Sequence, residues 1–320
     1  MSISPPFKLG ISLGDPGGIG YEISLKSLKA ISTEIDLDHF ILFGKRSLLS
    51  HPQLEKTWAS LPKQPQFIDC GPDDDIQFKT ESATNGHIAI ESIQNAIQSY
   101  KNGQIQGLVT APINKKSLHL AQSPYTGHTT LLQDAFDNTP VSMGFYTPTL
   151  KTVLTTIHIP LSKVPAQLTF DLLERTLTNT LSFCDLLQID SPKIALAGLN
   201  PHAGEDGLFG LEEQTLLIPF VKSMQERNIP IKGPFPADTL YKRQLDGEFD
   251  MSISLYHDQG LIPIKLIGFG DAVNITLGLE MIRTSPDHGT AFDIAYEDKA
   301  NPQSMKSAIE LALKLLKGDA

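Results

Sequence analysis

Cysteine is scarce in this chain. There are only Cys70 and Cys184, far apart and in no metal-like spacing, which excludes a disulfide framework and a thiolate zinc site and fits a reducing compartment. Long apolar runs are missing too: nowhere do 18 consecutive apolar residues occur, so no membrane span is expected. The first residues, Met1-Ser-Ile-Ser-Pro-Pro, hold no basic stretch followed by an apolar one, and the expectation is an unexported, cytoplasmic protein. Positive charge is in deficit, with 26 Lys and Arg against 36 Asp and Glu and a formal net charge of -10. Such a field repels an extended polyphosphate, so nucleic acid is not an expected partner. A small anion remains bindable, because helix N-termini and a few cationic side chains outweigh a distant field that salt screens within roughly 10 Å. Neither a GxGxxG fingerprint nor a GxxxxGK[ST] phosphate loop is present, which disfavours a standard Rossmann or P-loop nucleotide site.

What is present fits a turn-rich globular enzyme: 320 residues, 40% hydrophobic and 19% charged, with 24 glycines and 22 prolines, enough for one large or two medium domains. Strand-like runs at 8–13, 40–43, 105–110, 193–198 and 251–255 alternate with helical patterns at 19–30, 87–100 and 212–227, and a last helix spans 304–316. This is α/β order. Polar residues cluster just after the strand-like runs, where open α/β sheets form their ligand crevice.

Several such clusters carry chemistry. Gly14-Asp-Pro-Gly-Gly-Ile-Gly20 sits between a strand and a helix, either presenting backbone N–H groups to an anion or simply making a tight turn that needs glycine. His158, His202 and His257 each stand at a strand-to-loop transition. Three neutral imidazoles can hold a divalent cation and leave open positions for substrate, although each histidine alone reads more readily as a hydrogen-bonded structural residue. Gly127, His128 and Thr129 mark a helix start that offers an imidazole, a hydroxyl and free N–H groups to a phosphate; the plainer alternative is that Thr129 caps the helix and His128 is exposed. Thr110-Ala-Pro-Ile-Asn-Lys115 ends a strand with polar Asn114 and Lys115, as an ordinary loop or a site edge. Arg283-Thr-Ser-Pro followed by Asp287-His-Gly-Thr-Ala can offer a guanidinium to a carboxylate or phosphate and backbone amides to an adenine or ribose.

Together with Gly198-Leu-Asn-Pro-His-Ala-Gly-Glu, Gly233-Pro-Phe-Pro-Ala-Asp-Thr, Tyr256-His-Asp-Gln-Gly-Leu-Ile-Pro-Ile-Lys and Val273-Asn-Ile-Thr, these segments resemble the 4-hydroxythreonine-4-phosphate dehydrogenase family, in family order from residue 14 to about 295. The Asp287 stretch also resembles the cofactor loop of isocitrate and isopropylmalate dehydrogenases. The resemblance implies their two-domain α/β/α fold without a Rossmann fingerprint. By analogy with that fold, residues 1–128 plus 272–320 form a first domain with the cofactor loop and termini, and 129–271 a second with the metal and the dimer interface. Tyr21, Gln122, Thr130 and Glu280 depart from the family pattern, and none of them is an implied ligand.

The resemblance further implies metal ligands at His158, His202 and His257, with the third histidine contributed by the other subunit of a homodimer. Substrate contacts fall at His128, Thr129, Lys265, Asn274 and Arg283. Asp287, His288, Gly289 and Thr290 are implied to contact NAD or NADP, and Lys265 or Asp258 to move a proton. The implied reaction is oxidation of 4-phosphohydroxy-L-threonine at C3 followed by decarboxylation. The metal is implied to be divalent; three histidines suit zinc, with magnesium or cobalt as alternatives. Relatives with similar machinery act on threonate or erythronate phosphates. A metal-dependent hydrolase would use the same three histidines without a nicotinamide cofactor, but leaves the loop at Asp287 unexplained. A metabolite-binding protein without turnover is disfavoured by the intact His, Lys and Arg positions.

Overall fold

A computed structural model describes residues 7–268 and 270–317. Eleven strands follow in chain order: β1 (Leu9–Ser12), β2 (Phe40–Gly44), β3 (Gln66–Asp69), β4 (Gly107–Thr110), β5 (Ser142–Tyr146), β6 (Lys151–Leu154), β7 (Ile194–Ala197), β8 (Ile231–Phe235), β9 (Met251–Ser254), β10 (Val273–Leu277) and β11 (Ile282–Pro286). The chain divides into two compact units, one of residues 7–139 with Leu279–Lys317 and one of Pro140–Gly278.

In the first unit the strand order is β3-β2-β1-β4-β11, and every pairing is parallel. Parallel strands need crossovers, supplied here by helices Gly20–Ile31, Pro52–Ala59 and Ala83–Lys101. β1, β2 and β4 are buried along their whole length, which explains why they read as unbroken apolar runs and not as alternating ones. The helix Ala83–Lys101 begins four residues before the apolar period does, because the Ser82 hydroxyl accepts from the Asn85 amide and caps it. Tyr21, where the family pattern has proline, is wholly buried, and its hydroxyl accepts from the Lys45 N–H at 2.6 Å.

The second unit orders its strands β10-β5-β6-β9-β7-β8. β10, β5 and β6 are antiparallel neighbours, whereas β6, β9, β7 and β8 are parallel. The helix expected over 212–227 is interrupted: Glu213–Leu217 forms a wider turn before the α-helix Ile218–Glu226. Pro219 lacks an N–H and would collide with the carbonyl one turn back, and the wider turn relieves that.

The unit boundaries lie later than breaks after 128 and 271. Leu131, Leu132 and Phe136 pack with Ile41, Ile93 and Met281 in the first unit's core, so the helix His128–Ala135 stays with that unit. Asn274 on β10 pairs with Phe145 on β5, so β10 belongs to the second unit.

Candidate active site

The three histidines follow three neighbouring parallel strands of the second unit. β6 and β9 continue side by side beyond their ends, with Thr155 and Thr156 amides donating to the Ser254 and Leu255 carbonyls at 2.8 and 3.1 Å. That register brings His158 and His257 together, their ring centroids 5.6 Å apart, on a cavity of about 240 Å³ also lined by Thr156, Tyr256 and Asp258. The His257 Nδ1 lies 2.8 Å from Asp258 Oδ1, the arrangement that leaves Nε2 to face a cation. Asp258 therefore orients a histidine. On one helix, Asp258 and Lys265 lie seven residues apart, a rise of about 10 Å, which rules out direct proton exchange between them within that helix.

His202 follows β7 but leaves the other two. It sits in a run of left-handed residues, His202, Ala203, Gly204, Glu205 and Asp206, with φ of 53°, 53°, 84°, 42° and 52°. For residues with a Cβ this conformation costs on the order of 1–2 kcal/mol each, so the surroundings must hold it. The buried Glu213 does so: its Oε1 accepts from the Leu199 and Asn200 amides at 2.7 and 2.8 Å, and its Oε2 from Asn200 Nδ2 at 2.8 Å. The His202 ring meets Phe209, centroids 6.0 Å apart. Among the described residues, no three His, Cys, Asp or Glu side chains of one chain come together as a metal site. The donor chemistry at His158 and His257 would suit a divalent cation, and one chain brings two such donors together.

Two other groups in this unit complete the picture. Gln259 is buried; its Oε1 accepts from the Leu255 amide and its Nε2 donates to the Gly198 carbonyl, at 2.6 and 2.7 Å. It thereby ties the start of the His257 helix to the strand end that leads to His202. Asn274 keeps a buried Oδ1 with no hydrogen-bond partner, a group that a ligand N–H or O–H would satisfy.

In the first unit the carboxyl ends of β1, β4 and β11 carry the remaining candidates. Arg283 on β11 is 4% exposed. Its Nε and Nη2 donate to the Thr110 hydroxyl at 3.1 and 2.5 Å, and burial pulls its pKa down to about 10. His128 opens the helix His128–Ala135. Burial first, and the Arg283 charge second, push its imidazole well below the ordinary 6.5, while a hydrogen bond with Ala111 backbone opposes them. Its Nε2 is buried and has no partner, so the exposed-histidine alternative fails. Thr129 is not the cap either: Gly127 occupies that position with no side-chain cap bond, and the Thr130 hydroxyl accepts from the Thr126 amide.

The neutral His128 predicts a pH dependence. Its folded pKa lies below the unfolded 6.5, so in the interval between them the unfolded chain binds the extra proton. Stability should be full above pH 6.5 and fall as the pH drops toward the folded pKa. Melting curves across that range should be flatter for His128→Asn than for the parent chain; parallel profiles would refute the assignment.

The glycine-rich turn resolves toward packing. Its Gly17 amide donates to Asp15 Oδ1, its Gly18 amide to the Asp15 carbonyl and its Ile19 amide to the Thr290 carbonyl, so these three N–H groups are engaged inside the protein and do not face an anion. Gly14 has φ 76°, and a Cβ there would lie 2.3 Å from the Pro112 oxygen. Asn114 caps the helix Lys115–Leu120 through its Oδ1. The 287–290 loop is held by Thr290 on this turn and by Asp287 N–H donating to Ser304 Oγ at 3.1 Å. It leaves His288 and Gly289 exposed, with open space where a Gly289 Cβ would point. A cofactor edge can lie against such a loop, and the residues fit that role.

Comparison with known proteins first defines the class. The fold is that of a dehydrogenase with an α/β architecture: the crystal structure of 4-hydroxythreonine-4-phosphate dehydrogenase from Klebsiella pneumoniae superposes with a TM-score of 0.84 at 36% identity, over 98% of this chain and 99% of that one. A D-threonate 4-phosphate dehydrogenase from Pectobacterium atrosepticum is 39% identical over 96% of this chain and 98% of its own length. A 4-hydroxythreonine-4-phosphate dehydrogenase from a Sulfurihydrogenibium species is 38% identical over the same shares. Residues 30–312 match the model of the family described as pyridoxal phosphate biosynthetic protein PdxA, and the chain belongs to that family.

Glu213, Gln259 and Thr110 were not among the candidates read from the sequence. Gln259 lies inside the His257 motif and Thr110 heads its own, so position pointed to both; only burial distinguishes Glu213 from its neighbour Glu212.

Proposed function

We propose that this chain oxidises 4-phosphohydroxy-L-threonine at C3 with NAD or NADP and that the β-keto acid so formed loses carbon dioxide, giving 3-amino-1-hydroxyacetone 1-phosphate for pyridoxal 5'-phosphate synthesis. The observation that carries this reading is the pairing of His158 with His257 at the ends of adjacent strands, in a chain that matches its relatives almost end to end. A divalent cation, zinc by the donor set with magnesium or cobalt as alternatives, would be held by His158, His257 and a His202 from a second subunit; when bound it supplies positive charge that acidifies a neighbouring hydroxyl. The nicotinamide cofactor would supply the hydride acceptor, and the loop Asp287, His288, Gly289 and Thr290, exposed at His288 and Gly289, is proposed to border it.

The remaining residues bind and orient. Arg283 is cationic and held in place by Thr110, suited to a carboxylate or phosphate. His128 is neutral and offers its buried Nε2 to a substrate oxygen or hydroxyl. Thr129 and, in the second unit, Asn274 and Lys265 are proposed as further substrate contacts. Lys265, or Asp258 acting through His257, is proposed to move the proton. Leu208, Phe209 and Leu211, 79%, 52% and 59% exposed after the His202 turn, supply the apolar contact area that a homodimer needs. No helix among the described residues is long and apolar enough to cross a membrane; the cytoplasm is proposed as the enzyme's location from the two cysteines left free and buried.

The second reading is oxidation of D-threonate 4-phosphate or its erythronate counterpart, favoured by the relative from Pectobacterium. The two differ in whether the substrate carries an amino group or a hydroxyl. Cofactor reduction at 340 nm, with metal-replete protein and NAD and NADP in parallel, separates them: turnover of the amino acid substrate supports the first, preference for the threonate the second. Silence with both would overturn the dehydrogenase assignment for this chain.

A further inference from the structure

We propose that Glu213 is the positioning residue that keeps His202 ready to bind metal. The inference rests on the reading of His202 as a ligand. Three observations carry it. First, the turn that bears His202 is left-handed over five successive residues, a conformation that a chain of L-residues does not hold by itself. Second, the carboxylate that fixes it comes from another element, the widened turn Glu213–Leu217. Glu213 is 1% exposed, and its acceptors are directed at the two residues entering the turn, the Leu199 and Asn200 amides and the Asn200 side chain. Third, the turn is built around that carboxylate: a Cβ on Gly204 would lie 2.8 Å from Glu213 Oε2, so only glycine lets the backbone close on it.

On the far side, Asn200 Nδ2 also donates to Glu212 Oε2 at 2.8 Å, and Gln259 holds the Gly198 carbonyl. The strand end is thus clamped from two directions, and the rotation of the His202 backbone depends on the Glu213 side of the clamp. A neutral amide at 213 keeps the shape but gives up one carboxylate oxygen. The turn then loses acceptors at its entry and is free to relax toward right-handed geometry, which swings His202 off its ligand position.

The test uses the full-length protein, stripped of metal and titrated with zinc against a chromophoric chelator, with cobalt absorption as a second readout. Glu213→Gln should weaken zinc about 10- to 100-fold, the range of a residue that orients a ligand without touching the metal, and should reduce the intensity of the bound-cobalt bands. A purely structural role would lower the melting temperature and leave the zinc affinity of the folded protein unchanged; that result overturns the inference. Gly204→Ala keeps Glu213 but pushes its carboxylate from the turn's side, and it decides the matter if Glu213→Gln does not fold: weakened zinc supports the inference, unaltered zinc refutes it. His202→Ala is run alongside. If it too leaves zinc affinity unchanged, the ligand reading fails and takes the inference with it; if it weakens zinc while both turn variants do not, only the inference fails.

Discussion

Equal amounts of His257→Ala and His202→Ala protein, each expected to be inactive alone, should regain about a quarter of parental activity after subunit exchange, because under the proposed shared site half of the dimers would be mixed and each mixed dimer would hold one intact site of two. The expectation comes from the strand geometry. His158 and His257 end adjacent strands and face one cavity in the same chain, while His202 stands apart on its own turn. The same geometry provides the control. A mixture of His158→Ala and His257→Ala should regain nothing, since no mixed dimer then pairs an intact His158 with an intact His257 from one chain. Recovery in both mixtures, or in neither once exchange is shown by mass spectrometry of differently tagged subunits, would count against the shared site.

Arg283→Met should lower kcat/KM by about 10³-fold, equivalent to about 4 kcal/mol of lost transition-state stabilisation. The guanidinium is 4% exposed and oriented by Thr110, so its interaction with an anionic substrate is little screened by water. Lysine should not restore the activity, because it lacks the planar fork that such a contact uses. Burial already pulls the arginine pKa down to about 10, which means that the charge opposes folding. Methionine removes that charge at similar length, and the melting temperature should therefore hold or rise. A variant with parental kcat/KM would remove Arg283 from the substrate site, and one that melts far below the parent would assign the residue to the fold instead.

How much of this was legible beforehand differs from residue to residue. The parallel strands were readable because full burial makes them continuous apolar runs, and the histidines were readable because each follows such a run. The helix over 212–227 was readable in period but not in its break, which arises from a proline that the amphipathic pattern does not mark. His128 shows the limit of local reasoning: a histidine at a helix start is ordinarily wet, and here its Nε2 is buried and its ring feels the charge of Arg283, far off in sequence. The glycine-rich turn shows the reverse. Its amides were free on paper; two of them are taken up by Asp15 within the turn itself and a third by Thr290, distant in sequence. Glu213 had no sequence signal, since an acidic pair on an amphipathic helix reads as a wet face and only the fold turns one of the two inward.

The first unit is assembled from two distant stretches of chain, 7–139 and 279–317, and the second from a single one. The second unit is continuous in sequence, whereas the first is incomplete without β11 and the helix Gln303–Lys317 from the far side of that insertion. Domains fold as units, and the unit that bears the three histidines needs no residue after Gly278 to complete its strand order. A chain cut near residue 278 would keep His158, His202 and His257 and lack Arg283 and the 287–290 loop, so a single cut separates the proposed ligands from the proposed substrate and cofactor contacts.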